Sequence, residues 1–473
     1  TFTSQTGFNE DFLWSTEDFN RFGAAPGLFG TNSDGSNVQF CDPQLGCSDR
    51  LVAEDLSDEH AWQLSQEFRL ASKFDGPFNF SLGGNYLHYE TLEDYYVFLN
   101  TITWFLIGGT TPYGHQYQNL SNLGDVTYLN GYVDPTPLDA LAGDGHNYYR
   151  NENPYVLNSY AAFGEVYYNI TSDLKLTGGL RWTNDHKHFS LVPSWIVDTG
   201  YGYPIVGVVD QQWSEFTGRA VANWTPKLDF TSQTLIYASY AHGYKAGGAN
   251  PPGAIFDDQG PLNPVHPLTF KPEFVDAYEL GTKNTLLDGA ITLNGDIFFY
   301  NYKGYQISEI VDRTAINHNY DATVRGAELE TTWEPTPGLK FSFAGGYEAT
   351  RIDDGQYAVD LMDRTAGHAG WYIAKPFVAQ ASNCIFPGYV AQYLIHGGGA
   401  SPGPSACALA YLADEDPLTG KTYKQDPTVC LGWFGGSDTS SACPPGYPGF
   451  DPSTAPNDGE GFSKDLSGNE LPN

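Results

Sequence analysis

Between Phe270 and Glu348 apolar and polar residues exchange places with a period of two. In Ile291-Thr292-Leu293-Asn294-Gly295-Asp296-Ile297-Phe298-Phe299 the apolar set falls on odd positions, while Thr292, Asn294 and Asp296 take even ones. Leu339, Phe341 and Phe343 stand likewise against Lys340, Ser342, Ala344 and Glu348, and Ala327 to Trp333 repeats the pattern. Such alternation marks strands with one greasy and one polar face. The Asp288-Gly289 and Pro337-Gly338 pairs between them are turn chemistry and predict hairpin ends.

The same reading runs along the chain. A ragged first strand over residues 1 to 14 precedes a Gly/Asn/Asp-rich loop reaching about Glu59. Gln66 to Phe74 and a stretch from Pro77 form the second and third strands, turning at Asp75-Gly76. An excursion from about Val97 to Pro154 is too long for a turn. Tyr155 to Ile170 and a stretch from Leu174 through Thr183 make the fourth and fifth strands, and a loop holding His186 and His188 runs to about Gln212. The sixth strand sets Phe216, Ala220, Ala222 and Trp224 against Glu215, Thr217, Arg219 and Asn223. Leu235 to Lys245, the seventh, is mixed on both faces. Tyr278 to Lys283 is the eighth, and the segments described first are the ninth to eleventh. Long connections alternate with short turns, and no convincing strand pattern follows Asp353.

A soluble sandwich also alternates. Here, however, charges recur in mid-strand on the polar face and aromatic rings recur near strand ends on the apolar face. That combination fits a transmembrane barrel with a wet lumen and aromatic girdles. Lys175, Arg181, Arg219, Asp296, Glu328 and Glu330 are the lumen-facing candidates, and Tyr168, Trp182, Trp224, Trp333 and Tyr347 the girdle candidates. The expected fold class is all-β, a transmembrane antiparallel β-barrel with short periplasmic turns and long extracellular loops.

Composition narrows this further. Among 473 residues there are 32 Tyr, 29 Phe and 53 Gly against one Met, which favours β structure over helix bundles. The chain has no apolar run of about 18 residues, so a transmembrane helix is not expected. A net charge of −33 argues against nucleic acid, which calls for basic patches. This acidity fits a solvated surface, or carboxylates bridged through divalent cations to lipopolysaccharide phosphates. The six cysteines, Cys41, Cys47, Cys384, Cys407, Cys430 and Cys443, all fall outside the predicted strands, as for disulfides in an oxidising compartment. Cys41 with Cys47 is the safest local pair. The other four allow three pairings, of which Cys384 with Cys407 and Cys430 with Cys443 is the simplest.

Gln66-Glu67-Phe68-Arg69-Leu70-Ala71-Ser72, Leu176-Thr177-Gly178-Gly179-Leu180-Arg181-Trp182 and Tyr237-Ala238-Ser239-Tyr240-Ala241-His242-Gly243-Tyr244-Lys245-Ala246-Gly247-Gly248 resemble the barrel of TonB-dependent outer-membrane receptors. So do Phe270-Lys271-Pro272-Glu273, Tyr278 to Lys283, and Gly468-Asn469-Glu470-Leu471-Pro472-Asn473, which looks like a lead-in to a further strand. The resemblance implies part of a barrel of about 22 strands occluded by an N-terminal plug. It also implies energised uptake of a scarce nutrient, such as a ferric siderophore, another chelate or a saccharide, driven through the TonB complex. The sequence departs from the family pattern in showing neither a plug nor the last strands. Residues 1–352 are accordingly expected to form barrel strands, 353–467 a disulfide-containing extracellular loop, and 468–473 the lead-in.

Recognition is expected on the outer loops, where Tyr113, Tyr117, Tyr148, Tyr149, Trp371 and Tyr372 offer rings to a sugar, an aromatic group or a chelate. The same rings also suit loop packing. His186 and His188 have no third ligand in view, so no metal site or cofactor is expected. Asp414, Glu415 and Asp416 read as a solvated acidic turn. No catalytic triad, paired carboxylate or phosphate loop stands out, and an enzyme is not expected. Outer-membrane lipid, lipopolysaccharide, a TonB complex acting through a plug, and a small-molecule ligand are the expected partners. The long loops also leave open an adhesive or structural surface protein with surface or oligomeric partners.

Overall fold

The computed structural model describes residues 1–19, 25–42, 44–101, 147–192, 195–196, 198–202, 207–250, 268–311, 314–360, 362–374, 384–389, 391–392, 455–459 and 461–471. Eleven long strands form one antiparallel meander in which sequence neighbours are sheet neighbours. They are β1 (Phe2–Asp18), β2 (Ala53–Ala71), β3 (Phe78–Leu99), β4 (Asn147–Asn169), β5 (Leu174–Leu191), β6 (Gly207–Trp224), β7 (Gln233–Lys245), β8 (Glu273–Leu286), β9 (Ile291–Val311), β10 (Thr314–Thr336) and β11 (Leu339–Ile352). Two short strands, Trp195–Ile196 and Asp198–Gly202, extend the sheet beside β4. No helix of the described residues is long and apolar enough to cross a membrane, which says nothing of strands.

The register fixes the two faces, because directly paired residues share a side. Leu70, Leu82, Gly164, Leu180 and Gly218 lie in one row on the apolar face. Arg69, Gly83, Phe163, Arg181 and Thr217 lie in the adjacent row on the polar face. The apolar face exposes its large side chains, with Leu180 at 59% and Phe343 at 59%, as a lipid-facing surface would. For β7 the register settles the mixed pattern: Ile236, Ala238 and Tyr240 pair with Trp224, Ala222 and Ala220 on the apolar face.

Several predicted boundaries move. Strand β2 starts at Ala53 rather than near Gln66, β3 runs on to Leu99, and β4 begins at Asn147. His186 and His188 stand inside β5, not in a loop. The expected connection between the ninth and tenth strands is a hairpin instead, with pairing continuing to Val311 opposite Thr314. Long and short connections therefore do not alternate strictly.

The physical reason is length. About 9 to 11 tilted residues cross a bilayer, whereas β4 and β10 have 23 residues each. Beyond the apolar band the strands pack on both faces, and the alternation fades. On one face Ala53, Val97, Leu99 and Tyr149 form a buried cluster with Phe19 and Leu51. On the other, Leu56, Tyr96 and Phe98 are buried beneath Leu45. Leu45 lies in the hairpin of Phe40–Asp42 and Gly46–Ser48, across which Cys41 and Cys47 form a disulfide. Asn100 prolongs the pairing of β2 with β3, its amide accepting from Val52 N at 2.9 Å and donating to Arg50 O at 2.8 Å.

After β11 the chain makes short strands at Tyr357–Val359, Trp371–Ala374, Cys384–Pro387 and Ser463–Asp465, where no strand was expected. Tyr357–Val359 pairs with Ser463–Asp465, so the ends of the tract are zipped together. Ile352 donates from its N–H to Asn469 O at 2.8 Å and accepts from Gly468 N at 2.9 Å, which lays residues 468 and 469 beside the end of β11.

Candidate functional site

The polar face of the sheet divides into two sectors. On β2 to β6 the cations Arg69, Arg181, Lys175 and Arg219 gather around aromatic rings. Arg69 and Arg181 flank Phe163 at 5.6 and 5.5 Å, and Lys175 lies 4.7 Å from the Tyr167 ring centre. Phe163 covers Gly83 on the neighbouring strand, where a Cβ would come within 2.4 Å of the ring, so only glycine admits this arrangement. Arg219 bonds Glu165 at 2.6 Å, and Tyr167 donates to the same carboxylate at 2.6 Å.

On β8 to β11 the sign reverses. Glu279, Asp296, Glu328, Glu330 and Glu348 share the polar face there. Asp296 pairs in register with Glu328, Tyr237 donates to Glu279, and Lys283 lies 6.0 Å from the Tyr237 ring centre. The six charged residues proposed from the pattern thus all lie on one face, in two groups of opposite sign.

Higher on the same face the sequence gave no warning of a third group. Lys187 of β5 donates to Gly247 O at 2.7 Å, and its ammonium lies 5.6 Å from the Trp213 ring centre and 5.9 Å from that of Tyr155. Tyr155 in turn packs on Phe189 at 4.8 Å and faces Tyr89 at 6.1 Å. Burial lowers the Lys187 pKa, while Asp185 pulls the other way. Burial, reinforced by Asp185, pushes the Tyr155 phenol up. A Cβ on Gly247 would sit 2.3 Å from Phe270 O and 2.9 Å from the Trp213 ring. The Gly247-Gly248 pair therefore lets residues 246–250 close over Trp213. Three carboxamides hold this segment: Gln306 donates to Ala246 O at 3.0 Å, Asn250 accepts from Asn317 N at 2.9 Å, and Asn319 accepts from Lys271 N at 2.7 Å. The signal available in the sequence was Lys187 within Asp185-His186-Lys187-His188-Phe189, obscured because the segment read as a loop.

The loop candidates separate. Tyr113 and Tyr117 lie outside the described residues, as do the Asp414-Glu415-Asp416 turn, Cys407, Cys430 and Cys443. Tyr148 falls within β4, and Cys384 begins the strand Cys384–Pro387. Tyr149 is 1% exposed and packs edge-on against Tyr95 at 6.1 Å, so its ring is engaged in the strand core. Tyr372 is exposed, whereas Trp371 packs edge-on to Phe462, which stacks on His368 at 3.8 Å. His188 bonds Asp210 at 2.8 Å and His186 is 4.0 Å from it. Among the described residues no group of three or more His, Cys, Asp or Glu is placed to hold a metal.

On the apolar face Tyr168, Trp224 and Trp333 are about half exposed near the short-turn ends of their strands, and Tyr347 is exposed farther along β11. Trp182 lies on the same face, donating to Ser214 Oγ at 2.8 Å.

The family profile described as TonB dependent receptor-like, beta-barrel matches residues 2–380. Solved structures similar to this chain include the ferric yersiniabactin uptake receptor FyuA from Yersinia pestis, with 16% identity and a TM-score of 0.43, covering 64% of this chain and 40% of that one. The siderophore receptor PiuA from Acinetobacter baumannii has 18% identity and a TM-score of 0.42, with 65% and 41% covered. The ferripyoverdine receptor of the Pseudomonas aeruginosa outer membrane has 12% identity and a TM-score of 0.43, with 81% and 46% covered. The chain thus spans less than half the length of each. No curated protein matches it.

Proposed function

Because this chain belongs to the TonB-dependent receptor-like β-barrel family, we propose that it supplies the wall of a bacterial outer-membrane receptor for active uptake of a scarce nutrient. The apolar face meets lipid, and the polar face lines the lumen. Tyr168, Trp224 and Trp333 serve one interface, with Trp182 and Tyr347 at the other. Energy reaches the receptor from a TonB complex through a plug.

The observation that carries the ligand reading is the Lys187 group. An ammonium framed by Tyr155 and Trp213, on the polar face and above the apolar band, suits an anionic ligand with flat rings. A ferric siderophore or another anionic chelate fits this better than a neutral saccharide, which offers the ammonium no charge. Tyr372, exposed on its short strand, is a further contact from the loops.

The test is a binding and uptake assay on the complete receptor with ferric catecholate, ferric hydroxamate and oligosaccharide probes. Lys187→Gln with Trp213→Ala is expected to weaken binding of one chelate about tenfold or more, by loss of a charge and a stacking surface. Undiminished binding would remove the ligand reading, and uptake that persists without the TonB complex would remove active transport.

A second reading, an adhesive surface protein anchored by its barrel, rests on the closed neck of the tract after β11. Lys464 bridges Asp360 at 2.7 Å and Asp363 at 2.8 Å, so what lies beyond is presented on a tied base. Removing residues 366–460 would leave uptake intact and abolish surface contacts if that reading holds.

A further inference from the structure

On the apolar face the outward residues of each strand change character at one level. Trp62, Tyr160, Trp182, Tyr240, Tyr278 and Phe299 end the apolar run on their strands, and the next outward residue is polar. In a barrel this level is the outer headgroup region. At most of these positions the polar group is answered within the sheet. His60 meets Glu10 at 3.1 Å, Asn158 accepts from Tyr86 at 3.1 Å, Asn184 accepts from Gln212 at 3.1 Å, and His242 meets Asp276 at 2.8 Å.

The sector of β9 to β11 differs. Asn301 pairs in register with Thr323, and Thr323 with Arg351. Phe299 pairs with Arg325, and Arg325 with Ala349. All of these lie on the outward face. Arg325 and Arg351 are thus diagonal neighbours on adjacent strands, about 7 to 8 Å apart, close enough for both guanidinium groups to reach one phosphate. Arg325 is exposed, and among the described residues it makes no ion pair and no side-chain hydrogen bond. The same holds for the side chains of Asn301 and Thr323. Arg351 bonds Asp354 of the following turn, an exposed pair that exchange with an incoming anion would cost little. In a chain of net charge −33, an outward pair of arginines with an unanswered amide and hydroxyl, just above an aromatic row, needs an anion from outside the chain.

We infer that Arg325 and Arg351, with Asn301 and Thr323, form a binding site for the phosphate of an outer-leaflet phosphorylated glycolipid, whose acyl chains lie along Tyr347, Phe299 and Ile297 below. The occupant follows from depth and chemistry: an anion presented at the headgroup level, attached to apolar chains, beside rings suited to sugar faces. This rests on the outer-membrane placement proposed above. It differs from the carboxylate and divalent-cation bridging that the acidity suggested, because the contact here is direct.

The test uses the protein purified from its native membrane, mixed in detergent with equal amounts of bisphosphorylated lipid A and its dephosphorylated form, and read by native mass spectrometry. The wild type is expected to retain the phosphorylated form at least fivefold over the other. Arg325→Gln with Arg351→Gln brings the ratio within twofold, while Lys73→Gln, in the turn at the opposite end of the strands, leaves it unchanged. Should the double variant not fold, Arg325→Gln alone, at an exposed residue without an ion pair, is expected to give an intermediate ratio. Equal retention by the wild type, or a preference that survives loss of both arginines, overturns the site. A preference abolished by chelation yet indifferent to the arginines assigns the lipid to carboxylate bridging and also overturns it. Retention of neither lipid form would instead remove the membrane placement on which the site depends.

Discussion

The lower and upper parts of the same strands obey different rules. Near the short turns, side chains such as Leu82, Leu180 and Phe343 stand outward on one face while charged groups hold the other, and neither face is covered by protein. Near the long connections, Leu56 is 0% exposed under the disulfide hairpin, and Val97, on the opposite face of the same sheet, is 3% exposed. The lower part is a wall stabilised by its surroundings, while the upper part is a protein core in its own right. Mutations should therefore be read by position along a strand, not by residue type.

The largest expected contrast is between two leucines on one face. Leu56→Ala removes fully buried volume beneath Leu45 and is expected to cost about 3 to 4 kcal/mol in the upper sheet, since the covering hairpin can only partly collapse. Leu82→Ala, facing outward in the band, leaves a gap that acyl chains or detergent fill and is expected to cost about 1 kcal/mol or less. Hydrogen exchange of β2 and β3 in the folded protein measures both. Comparable losses would break the distinction between wall and core.

Charge sharpens the same contrast from the lipid side. Leu180→Arg places a guanidinium near the middle of the apolar band, and unfolding in urea from lipid is expected to show a loss of about 2 to 3 kcal/mol. Val208→Arg, also outward but near the far end of β6, stands beyond the band and is expected to be within about 0.5 kcal/mol of wild type. If both variants lose the same stability, the band does not end where the polar outward residues begin.

How much of this was legible follows from the same division. Residues 174 to 183 displayed their alternation because one face meets an apolar medium and the other water, so period two survives in the composition. The next residues of β5, Asn184 to Leu191, continue the strand with polar groups outward and both Lys187 and Phe189 on the inner side, and they read as a loop. Ala53 to Gln66 was hidden for the related reason that both of its faces are covered. The charged candidates were legible because charge in mid-strand has one sensible place to go. The Lys187 group was not, since Tyr155, Lys187, Trp213 and Gly247 come from four separate segments brought together only by register and by a glycine's close approach to Phe270 O. Tyr149 shows the reverse error, in that an aromatic residue beside a long connection read as a recognition ring and is a core residue.

The smallest expected effect concerns a carboxylate in the upper part. Asp94 is raised to about 6, chiefly by burial and then by the charge of Glu152, with Arg150 opposing. Its side chain is 17% exposed, and Arg150 Nη2 lies 3.7 Å away while bonding Glu152 at 2.7 Å, so the guanidinium is shared. A carboxyl whose folded pKa lies above its unfolded value, near 4, favours folding most when protonated. Its contribution is present below about pH 4, is lost as pH rises through about 6, and is absent at pH 7. Partial hydration reduces the full linkage, so the upper sheet should be about 1 to 2 kcal/mol more stable at pH 5 than at pH 7. Asp94→Asn keeps the shape and removes the titration, and is expected to flatten that difference while leaving the lower wall untouched. The readout is the protection of β3 and β4 amides at the two pH values, corrected for intrinsic exchange. A pH dependence that persists in the variant would assign it elsewhere, first to Glu93, which burial and the charge of Glu59 also raise on the opposite face of β3.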